Sequence, residues 1–426
     1  MADRPLARTS YSATADPAPK RAVLAGTHHC AVCVIGGGIA GTSAALHLAE
    51  RGFDVIVLEA QQIGWGASGR SGAQVLPGVA ATQEALEKLI GVDDAHKVWD
   101  VSVAGVQLVR ELIARHGIDG EFAAGHMLTA VKARHDVQLR AYLEELQRRY
   151  AYHGIRYMPA AEVRSILAST RYRGALYDSN AGHLHPLKYT LGLASAAERA
   201  GVRIFEGTRA VDFAGRGPVR VRTAGGEVRC RQLVLCGDVY LGPVAPPLQG
   251  RIMAVGTCIV ATEPLGAARA QALITNNAAV ADTNWVLDYF RRSADQRLLF
   301  GGRISYAGFD PDRIAAATRA RMIRVFPQLQ DVKVQFAWGG HVAITRNRAP
   351  DFGRLNPDVY YLQGFSGHGI ALAGMAGKLV SEAIAGQAER FDVFARIPHR
   401  AFPGGAALRR PALVLAMLYY RLKDLL

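Results

Sequence analysis

The sequence has few lysines and no concentrated basic segment. Lysine provides only eight of its 50 basic residues, although the formal net charge is +14. No basic cluster is interleaved with aromatic residues, and no nucleic-acid motif is present. The charge therefore indicates a diffuse arginine-rich surface, and we expect no nucleic-acid partner. Such a surface can still attract acidic proteins or anionic lipid.

Long apolar runs and paired cysteines are also lacking. No run reaches the roughly 18–20 apolar residues of a membrane-spanning helix. Five cysteines, an odd number, predict free thiols and a reducing, cytoplasmic location. Cys30 and Cys33 are spaced like a redox pair. Both lie on a predicted strand, however, where residues three apart face opposite sides and cannot bridge.

Two further segments carry little functional signal. Residues 1–28 are rich in Pro, Ala, Ser and Thr, which predicts a flexible or surface-wrapping N-terminal arm rather than a signal peptide. The pair His183 and His185 could place two metal ligands on one side of a strand. No third ligand is near in sequence, so we expect no metal site.

The most informative stretch is the glycine-rich turn Gly36-x-Gly38-x-x-Gly41. An apolar run before it predicts a buried strand, and small residues after it predict a closely packed helix. A second apolar run ends at Glu59, 18 residues after Gly41. A carboxylate there can accept hydrogen bonds from ribose hydroxyls and would repel the phosphate of NADP. Together these features predict a dinucleotide site, with the pyrophosphate at the helix N-terminus.

Two more glycine-rich segments can reach the same cofactor. Gly64–Gln74 follows the second strand, and its amides, Ser68 and Arg70 can lie along a bound dinucleotide. Near the C-terminus, the predicted strand Val359–Gln363 leads through Gly364-Phe-Ser-Gly-His-Gly369 into a helix. The N-terminus of that helix would point at the other end of a long cofactor, where the helix dipole favours negative charge.

The remaining patterns predict a second domain. Length and apolar content suggest two domains, and residues 251–262, 284–290 and 297–302 predict strands of a separate antiparallel sheet. We therefore expect an α/β plus antiparallel β fold, with a Rossmann-like cofactor domain and a substrate domain. The predicted division is an N-terminal arm (1–28), a cofactor domain (29–117, 183–250 and 339–390), a substrate domain (118–182 and 251–338) and a tail (391–426).

The tail is predicted to end in an apolar helix. Pro411 suits a first helical position, and residues 412–426 are apolar nearly all round. Such a helix can dock on its own body, associate with a second subunit or lie on a lipid surface. We expect docking on protein.

These segments together resemble the D-amino-acid-oxidase-like FAD-dependent amine oxidoreductase family. The resemblance rests on the first glycine turn with Glu59, the loop Gly66–Arg70, the strand Leu233–Cys236 and the closing turn Gly364–Gly369. Further segments are similar to gamma-glutamylputrescine oxidases within that family: Trp65–Arg70, Gly182–Pro186, Asp288–Arg291, Leu299–Gly302, Trp338–Gly340 and residues 391–405. The resemblance implies a D-amino-acid-oxidase-like fold with FAD as cofactor.

The resemblance also implies a set of site residues. Cofactor contacts are expected from Gly36, Gly38, Ile39, Ala40, Gly41, Glu59, Ala60, Ser68, Gly69, Arg70, Gln74, Ala210, Gly340, Gly364, Gly367, His368, Gly369 and Ile370. Substrate contacts are expected from Tyr289, Trp338, His341 and His368. No catalytic residue is assigned, because an amine that binds as the free base needs no dedicated general base.

Departures from the family patterns are informative. Ser71 and Ala73 stand where the family loop usually has Asn and Gly, and Ile39-Ala40 stand where it often has Tyr-Thr. Sarcosine oxidases carry a lysine at the position of Ala371 and a flavin-bonded cysteine in the segment similar to 338–351. Neither is present here, which implies noncovalent FAD and a substrate with no carboxylate beside the oxidised carbon.

The implied reaction belongs to polyamine catabolism. A primary amine, such as gamma-glutamylputrescine or another gamma-glutamylated diamine, would be oxidised to the aldehyde by molecular oxygen, with release of ammonia and hydrogen peroxide. Two alternatives stay open. One is an oxidase of secondary amines or N-methyl amino acids of the sarcosine type. The other is a flavoprotein dehydrogenase or electron-transfer partner without oxidase turnover.

Overall fold

The computed structural model describes residues 8–305 and 310–404. In chain order, its strands are β1 (Gly26–Ile35), β2 (Val55–Leu58), β3 (Gln74–Val75), β4 (Ala123–Ala130), β5 (Ile155–Pro159), β6 (Gly174–His183), β7 (Arg203–Phe205), β8 (Ala210–Ala214), β9 (Val219–Thr223), β10 (Gly226–Leu235), β11 (Ile252–Thr262), β12 (Ala279–Asp282), β13 (Tyr289–Arg292), β14 (Leu298–Ser305), β15 (Val334–Thr345), β16 (Asp351–Asn356) and β17 (Val359–Gln363). The α-helices are α1 (Ser10–Thr14), α2 (Ile39–Ala49), α3 (Gln83–Ile90), α4 (Val92–His116), α5 (Ala133–Arg149), α6 (Ala160–Ile166), α7 (Pro186–Arg199), α8 (Pro246–Gln249), α9 (Ala267–Leu273), α10 (Pro311–Val325), α11 (Gly369–Ile384) and α12 (Glu389–Ala395).

Sheet A carries the first glycine turn and is built mainly from parallel strands. Its path is β16-β17-β10-β1-β2-β7, with β9 and β8 extending from β10. Every neighbouring pair from β17 to β7 is parallel, whereas β16 closes one edge in the antiparallel direction. Because the carboxyl ends of parallel strands meet at one edge, the turns that follow β1, β2, β10 and β17 open on the same crevice.

Helix α2 is held between the sheet and helix α11. Nearly all of α2 is buried, as its small and apolar residues predict. Ser43 Oγ donates to the carbonyl of Gly374 in α11 at 2.7 Å. A Cβ added at Gly377 would lie 2.5 Å from the backbone nitrogen of Ala44. Glycine at position 377 therefore permits the close approach of the two helices that follow the two glycine turns.

Sheet B forms the second layer of strands. Its path is β15-β11-β14-β13-β12-β4-β6-β3, with β5 beside β6. The expected antiparallel arrangement holds except between β12 and β4, which are parallel. The strand predicted at 284–290 is displaced to Tyr289–Arg292. The Asp282 carboxylate accepts the amides of Asn284 and Asp288, both at 3.1 Å, and this bends the intervening residues into a turn.

Three pieces of the predicted cofactor domain belong to sheet B. They are β3, His183 at the end of β6 and residues 339–345 at the end of β15. Strands β6 and β15 therefore cross the predicted boundaries at 182/183 and 338/339. The other domain boundaries stay a prediction.

The N-terminal arm is docked rather than flexible in its described part. Helix α1 has a capping box in which Thr9 and Ser12 exchange hydrogen bonds. Tyr11 is only 2% exposed, and Arg21 forms ion pairs with Glu198 and Glu206. Of the two predicted alternatives, the flexible arm is wrong for these residues, because an aromatic anchor and a buried ion pair fix them. Residues 1–7 lie outside the described ranges.

The expectation that Cys30 and Cys33 face opposite sides of β1 is wrong. Both pack against the same apolar cluster as Cys230. The amides of Ala31 and Val32 both donate to the carbonyl of Asp54, which is the pattern of a β-bulge. One extra residue between the two cysteines reverses the alternation of faces. All five cysteines are free thiols.

No single helix in the two described ranges is long and apolar enough to cross a membrane. Helices α11 and α12 meet the length and composition only as a pair, and that pair is bent by 117°. Most residues of α11 are buried in the fold, which accounts for its apolar composition. The apolar helix predicted at 411–426 lies outside the described residues.

Candidate functional site

Each glycine of the first turn meets a separate steric requirement. Gly36 has φ +114°, and a Cβ there would lie 2.8 Å from the carbonyl of Cys236. A Cβ at Gly38 would lie 2.8 Å from Ser68 Oγ, and one at Gly41 only 1.9 Å from the Gly36 oxygen. Gly38 caps α2 without a side chain. The amide of Ile39 donates to Ser68 Oγ at 3.0 Å, and the next amide of the helix, that of Ala40, stays available to a ligand in the crevice. This arrangement can hold a phosphate.

Glu59 lies directly after β2 and buttresses the same turn. Its Oε2 accepts the Gly37 amide at 2.6 Å, and its Oε1 accepts the Gln61 amide at 2.8 Å. Burial raises the pKa of the Glu59 carboxyl, while these two hydrogen bonds oppose the rise. Each carboxylate oxygen keeps a second lone pair, so Glu59 can still accept hydrogen bonds from two ribose hydroxyls.

A cavity of about 1830 Å³ joins the three glycine-rich segments. It extends from the first turn along the loop after Trp65 to the second turn before α11. Most of the predicted site residues line it: Gly36, Gly38, Ile39, Ala40, Glu59, Ala60, Ser68, Arg70, Gln74, Ala210, Tyr289, His341, Gly367, His368, Gly369 and Ile370. Residues far apart in sequence thus share one continuous space.

Five predicted site residues lie outside the cavity lining: Gly41, Gly69, Gly340, Gly364 and Trp338. A Cβ at Gly69 would lie 2.2 Å from the Gly64 oxygen, and one at Gly364 lies 2.5 Å from Thr345 Cγ2. These glycines shape turns whose neighbours line the cavity. Trp338 is 3% exposed and donates its indole N–H to the carbonyl of Arg70 at 2.9 Å. Their predicted contacts with cofactor or substrate stay predictions.

The second turn opens the N-terminus of α11 towards the cavity. His368 caps this helix without a side-chain hydrogen bond to it, and Gly367 has φ +98°. No acidic residue lies in the first helical turn. The amides of Gly369 and Ile370 can therefore stabilise negative charge on a ligand. Burial lowers the pKa of His368 to about 4, so its ring is neutral near pH 7.

Arg70 and three aromatic rings form one wall of the cavity. The Arg70 guanidinium lies 4.3 Å over the Trp65 ring, and its Nε donates to the Trp65 carbonyl at 2.6 Å. Tyr240 contacts Trp65 edge to face, with ring centroids 5.3 Å apart. The Tyr240 hydroxyl is 3.4 Å from Nδ1 of His341. This wall offers one fixed positive charge and apolar ring faces.

Sequence reasoning missed His126, a buried histidine on β4 that lines the cavity. The pairing of β4 with β6 shifts register between Ala124 and His126, and Gly125 has φ +102°. This bulge turns the His126 ring towards the cavity. Its Nε2 is buried and has no hydrogen-bond partner among the described residues. Burial and the nearby His368 lower its pKa to about 3, so the ring is neutral. Glycine followed by histidine inside an apolar strand was the available signal.

Asp238 is a second missed residue of the lining. It follows β10 with φ +47°, and its Oδ1 accepts the amide of Gly364 at 3.0 Å. Burial raises the pKa of the Asp238 carboxyl to about 6. The side chain therefore ties the end of β10 to the glycine turn after β17. It places a carboxylate beside the crevice where those strands end.

The described residues contain no group of three metal-ligating side chains close enough to hold a metal. His183 ends β6, but His185 is not on that strand. Its Nδ1 accepts the amide of Lys188 at 3.1 Å and caps α7. The expectation that both histidines face one side of a strand is therefore wrong, because the chain turns into a helix between them.

Comparison with known proteins identifies the class of this fold. Residues 31–383 match the family model described as FAD dependent oxidoreductase (DAO). The chain is 42% identical over 399 residues to the gamma-glutamylputrescine oxidoreductase of Escherichia coli (strain K12), with 93% of each chain covered. It is 39% identical over 401 residues to a probable oxidoreductase, OrdL, of Haemophilus influenzae, with 93% of this chain and 92% of that one covered. Glycine oxidase from Bacillus cereus is similar in fold, with a TM-score of 0.69 at 21% identity over 88% of this chain and 99% of its own.

The parallel sheet, the glycine turn before α2, the carboxylate of Glu59 and the second helix N-terminus at α11 are the features of a dinucleotide-binding enzyme. The geometry fits FAD: the α2 amides can hold the pyrophosphate, Glu59 the ribose, and the α11 amides the flavin ring. The chain belongs to the FAD dependent oxidoreductase family. It is an FAD-dependent oxidoreductase, and the predicted fold class, family and cofactor are confirmed.

Proposed function

We propose that this enzyme oxidises the primary amine of a gamma-glutamylated diamine such as gamma-glutamylputrescine, with molecular oxygen as the electron acceptor. The observation that carries this proposal is one continuous cavity. It joins the first glycine turn, where FAD is expected to bind, to the neutral imidazoles of His126 and His368. The 42% identical relative is named for that substrate. The absence of a lysine at Ala371 also favours a substrate without an adjacent carboxylate.

FAD is proposed to bind without a covalent bond. Cys236 is the cysteine of the chain that lines the cavity, and burial raises the pKa of its thiol. It lies against Gly36, at the end of the cavity where the pyrophosphate is expected. No cysteine is present in residues 338–351. The Cys236 thiol is far from the expected flavin ring and is protonated, so it is a poor candidate for a covalent bond to that ring.

The proposed role of His126 and His368 is to receive the amine as its free base. When bound, FAD supplies the two-electron acceptor for the C–H bond beside the amine nitrogen. Both imidazoles are neutral; His126 is buried and His368 is partly buried. Each has a buried ring nitrogen without a partner in the described chain, Nε2 of His126 and Nδ1 of His368. A ring nitrogen of this kind can accept a hydrogen bond from an N–H of the amine. An ammonium ion would be disfavoured in the same apolar surroundings.

The role of His126 can be tested by His126→Ala. The proposal predicts that kcat/KM for the amine falls by about tenfold to a hundredfold, equivalent to one or two multiples of 1.4 kcal/mol. The content and absorption of bound FAD should stay unchanged. His135→Ala is a matched control, because His135 is a buried histidine that does not line the cavity. An equal loss of kcat/KM in both variants would contradict the proposed role of His126 in binding the amine.

Product analysis tests the reaction itself. With gamma-glutamylputrescine, the proposal predicts equal amounts of ammonia and hydrogen peroxide, and slower turnover of free putrescine. An oxidase of secondary or N-methyl amines would instead prefer sarcosine and release a primary amine. Reduction of an artificial electron acceptor without peroxide would identify a dehydrogenase or an electron-transfer partner. Either result would reject the proposed oxidase.

The location and associations of the enzyme form a separate part of the proposal. We place it in the cytoplasm, which is supported by its five free cysteines. We also propose that residues 409–426 mediate self-association or contact with a membrane surface, as the apolar sequence of this segment suggests. Deleting those residues should change oligomer size or melting temperature if the segment docks on protein. Loss of liposome binding with unchanged size and melting would support the membrane surface.

A further inference from the structure

The cofactor-lining loop Arg70–Ala73 is fixed by three side chains that come from distant parts of the chain. The indole N–H of Trp338 donates to the carbonyl of Arg70 at 2.9 Å. The hydroxyl of Tyr11 donates to the carbonyl of Ser71 at 2.9 Å. Nε of Arg291 donates to the carbonyl of Gly72 at 3.3 Å. Three consecutive carbonyls of one loop are therefore each held by a different element.

The three side chains form one buried unit, which we call the loop clamp (Tyr11, Arg291 and Trp338). Arg291 Nη2 donates to the Tyr11 hydroxyl at 3.1 Å. The Tyr11 ring contacts Trp338 edge to face, with centroids 5.4 Å apart. Tyr11, Trp338 and Arg291 are only 2%, 3% and 4% exposed. The loop clamp therefore has little freedom to move independently of the loop.

Holding the carbonyls fixes the direction of the amides that follow them. In a trans peptide the N–H points away from the preceding C=O. The Ser71 amide donates to the carbonyl of Ala67 at 3.0 Å. The amides of Gly72 and Ala73 have no acceptor among the described residues, and both residues line the cavity. Two unpaired donors on the cavity side of the loop indicate a ligand with hydrogen-bond acceptors.

Backbone strain in the same loop supports a functional arrangement. Ala73 has φ +61°, a left-handed conformation that costs a residue with a Cβ about 1–2 kcal/mol. Gly72 has no room for a side chain, because a Cβ there would lie 2.5 Å from the Tyr289 ring. Strain of this kind persists where surrounding contacts determine the conformation, and it concentrates at ligand sites. The loop clamp provides those contacts.

The charge of Arg291 is the second unusual feature. No carboxylate lies within the 4.0 Å ion-pair distance of its guanidinium in the described ranges. Its partners are the carbonyls of Gly72 and Arg292, the Tyr11 hydroxyl and, at 3.5 Å, His183 Nδ1. Buried charges are ordinarily paired. Glu121 and Asp295 line the same small cavity as Arg291 but, in the part of the chain that the structure describes, form no ion pair with it. A positive charge that is only partly offset and lies directly behind the loop favours a ligand that gains negative charge.

We propose that the N-terminal helix α1 is part of the flavin site, because Tyr11, with Arg291 and Trp338, aims the amides of Gly72 and Ala73 at acceptor atoms of the flavin ring. The loop clamp thereby strengthens FAD binding and, with the Arg291 charge, raises the reduction potential of the bound flavin. These are positioning residues, since they act through the loop and not by direct contact. The inference depends on FAD as the cofactor and not on which amine is oxidised.

The test is Tyr11→Phe in the full-length holoenzyme, with Tyr150→Phe as the matched control. Both changes remove one buried phenol hydroxyl and keep the ring. The Tyr150 hydroxyl donates to Glu87 at 2.6 Å, and Tyr150 does not line the cavity. Tyr11→Phe is expected to shift the visible absorption bands of the flavin, lower its reduction potential and raise the Kd for FAD about tenfold. Tyr150→Phe should leave all three at wild-type values.

Trp338→Phe gives a second variant of the loop clamp that leaves every residue of α1 unchanged. It removes the donor to Arg70 and keeps an aromatic ring, so we expect changes in the same direction as for Tyr11→Phe. If Tyr11→Phe fails to fold, Trp338→Phe tests whether the loop clamp sets the properties of the flavin, because the Trp338 ring packs against Tyr11 of α1. The proposal would be overturned if the folded variants kept the wild-type flavin absorption bands, reduction potential and Kd for FAD, and lost only as much stability as Tyr150→Phe. None of these measurements uses an amine substrate, so they stand apart from the product assay.

Discussion

Glu59 shows how one carboxylate can serve both the protein and the cofactor. It accepts two backbone amides of its own chain, and we propose that its remaining lone pairs accept the ribose hydroxyls. Two charge-assisted hydrogen bonds to the ribose are worth roughly 1.5–3 kcal/mol each. Glu59→Ala should therefore purify largely without flavin unless FAD is added. The measurement is the ratio of flavin to protein absorbance, and a wild-type ratio would reject the ribose assignment.

Asp282 predicts a specific pH dependence of stability. Burial, followed by the neighbouring Asp288, raises the pKa of its carboxyl to about 7. Because the folded state holds this proton more tightly than the unfolded state, the resulting stabilisation is complete below pH 4. It is lost as the pH rises through 7. Replacing this carboxyl by a neutral group should therefore raise the unfolding free energy relative to wild type mainly at the higher pH values.

Asp282→Asn separates this effect from other titrations. The amide has the size of the protonated carboxyl, and its oxygen can still accept both backbone amides, which donate to the same oxygen of Asp282. The bond that is lost is the one from the Asn284 side-chain amide to the second carboxyl oxygen. Between pH 4 and pH 8, the unfolding free energy of the variant should rise relative to wild type by up to about 4 kcal/mol, three tenfold steps at about 1.4 kcal/mol each. Denaturant titrations at several pH values measure the difference. A difference that is constant with pH would contradict the raised pKa.

At the scale of elements, the contact between α2 and α11 couples the two glycine turns. Gly377→Ala would put a Cβ 2.5 Å from the Ala44 nitrogen and 2.8 Å from the Ala40 oxygen, so the helices must separate. Overpacking of this kind costs about 1–3 kcal/mol. Gly374→Ala is the control, because its nearest contact would be an ordinary 3.7 Å and alanine favours the helix. The melting temperature of Gly374→Ala should equal or exceed that of wild type, and the melting temperature of Gly377→Ala should be lower.

The segment from β15 to β16 leads to a prediction about the flavin linkage. No cysteine lies in residues 338–351, and the one thiol on the cavity wall lies at the first glycine turn. Precipitation in acid should therefore release all the yellow colour into the supernatant. Colour that remains in the pellet would contradict noncovalent binding.

The elements also show what sequence patterns can and cannot predict. The first turn, Glu59 and the helix after Gly369 were predictable because local spacing alone specifies a strand, a tight turn and a helix. His126, Asp238 and Tyr11 were not. Their roles depend on a bulge between β4 and β6, on the pairing of β10 with β17, and on a long-range contact with Ser71. Such contacts have no periodic signature in a single sequence.

At the scale of the whole molecule, two sheets enclose one cavity between the FAD cradle and a set of neutral histidines. The first and second glycine turns belong to sheet A, and His126 and Tyr289 belong to sheet B. The cavity therefore needs both sheets, although the chain passes between them several times. This arrangement can position an amine against a flavin.

The most direct measurement is an anaerobic titration of the holoenzyme, followed by the visible absorption of FAD. The account predicts that gamma-glutamylputrescine bleaches the flavin fully and stoichiometrically, whereas free putrescine and sarcosine do so far more slowly. Admission of oxygen should restore the oxidised spectrum. Full bleaching by sarcosine, with no response to gamma-glutamylputrescine, would contradict the proposed substrate and leave the FAD-binding fold unaffected.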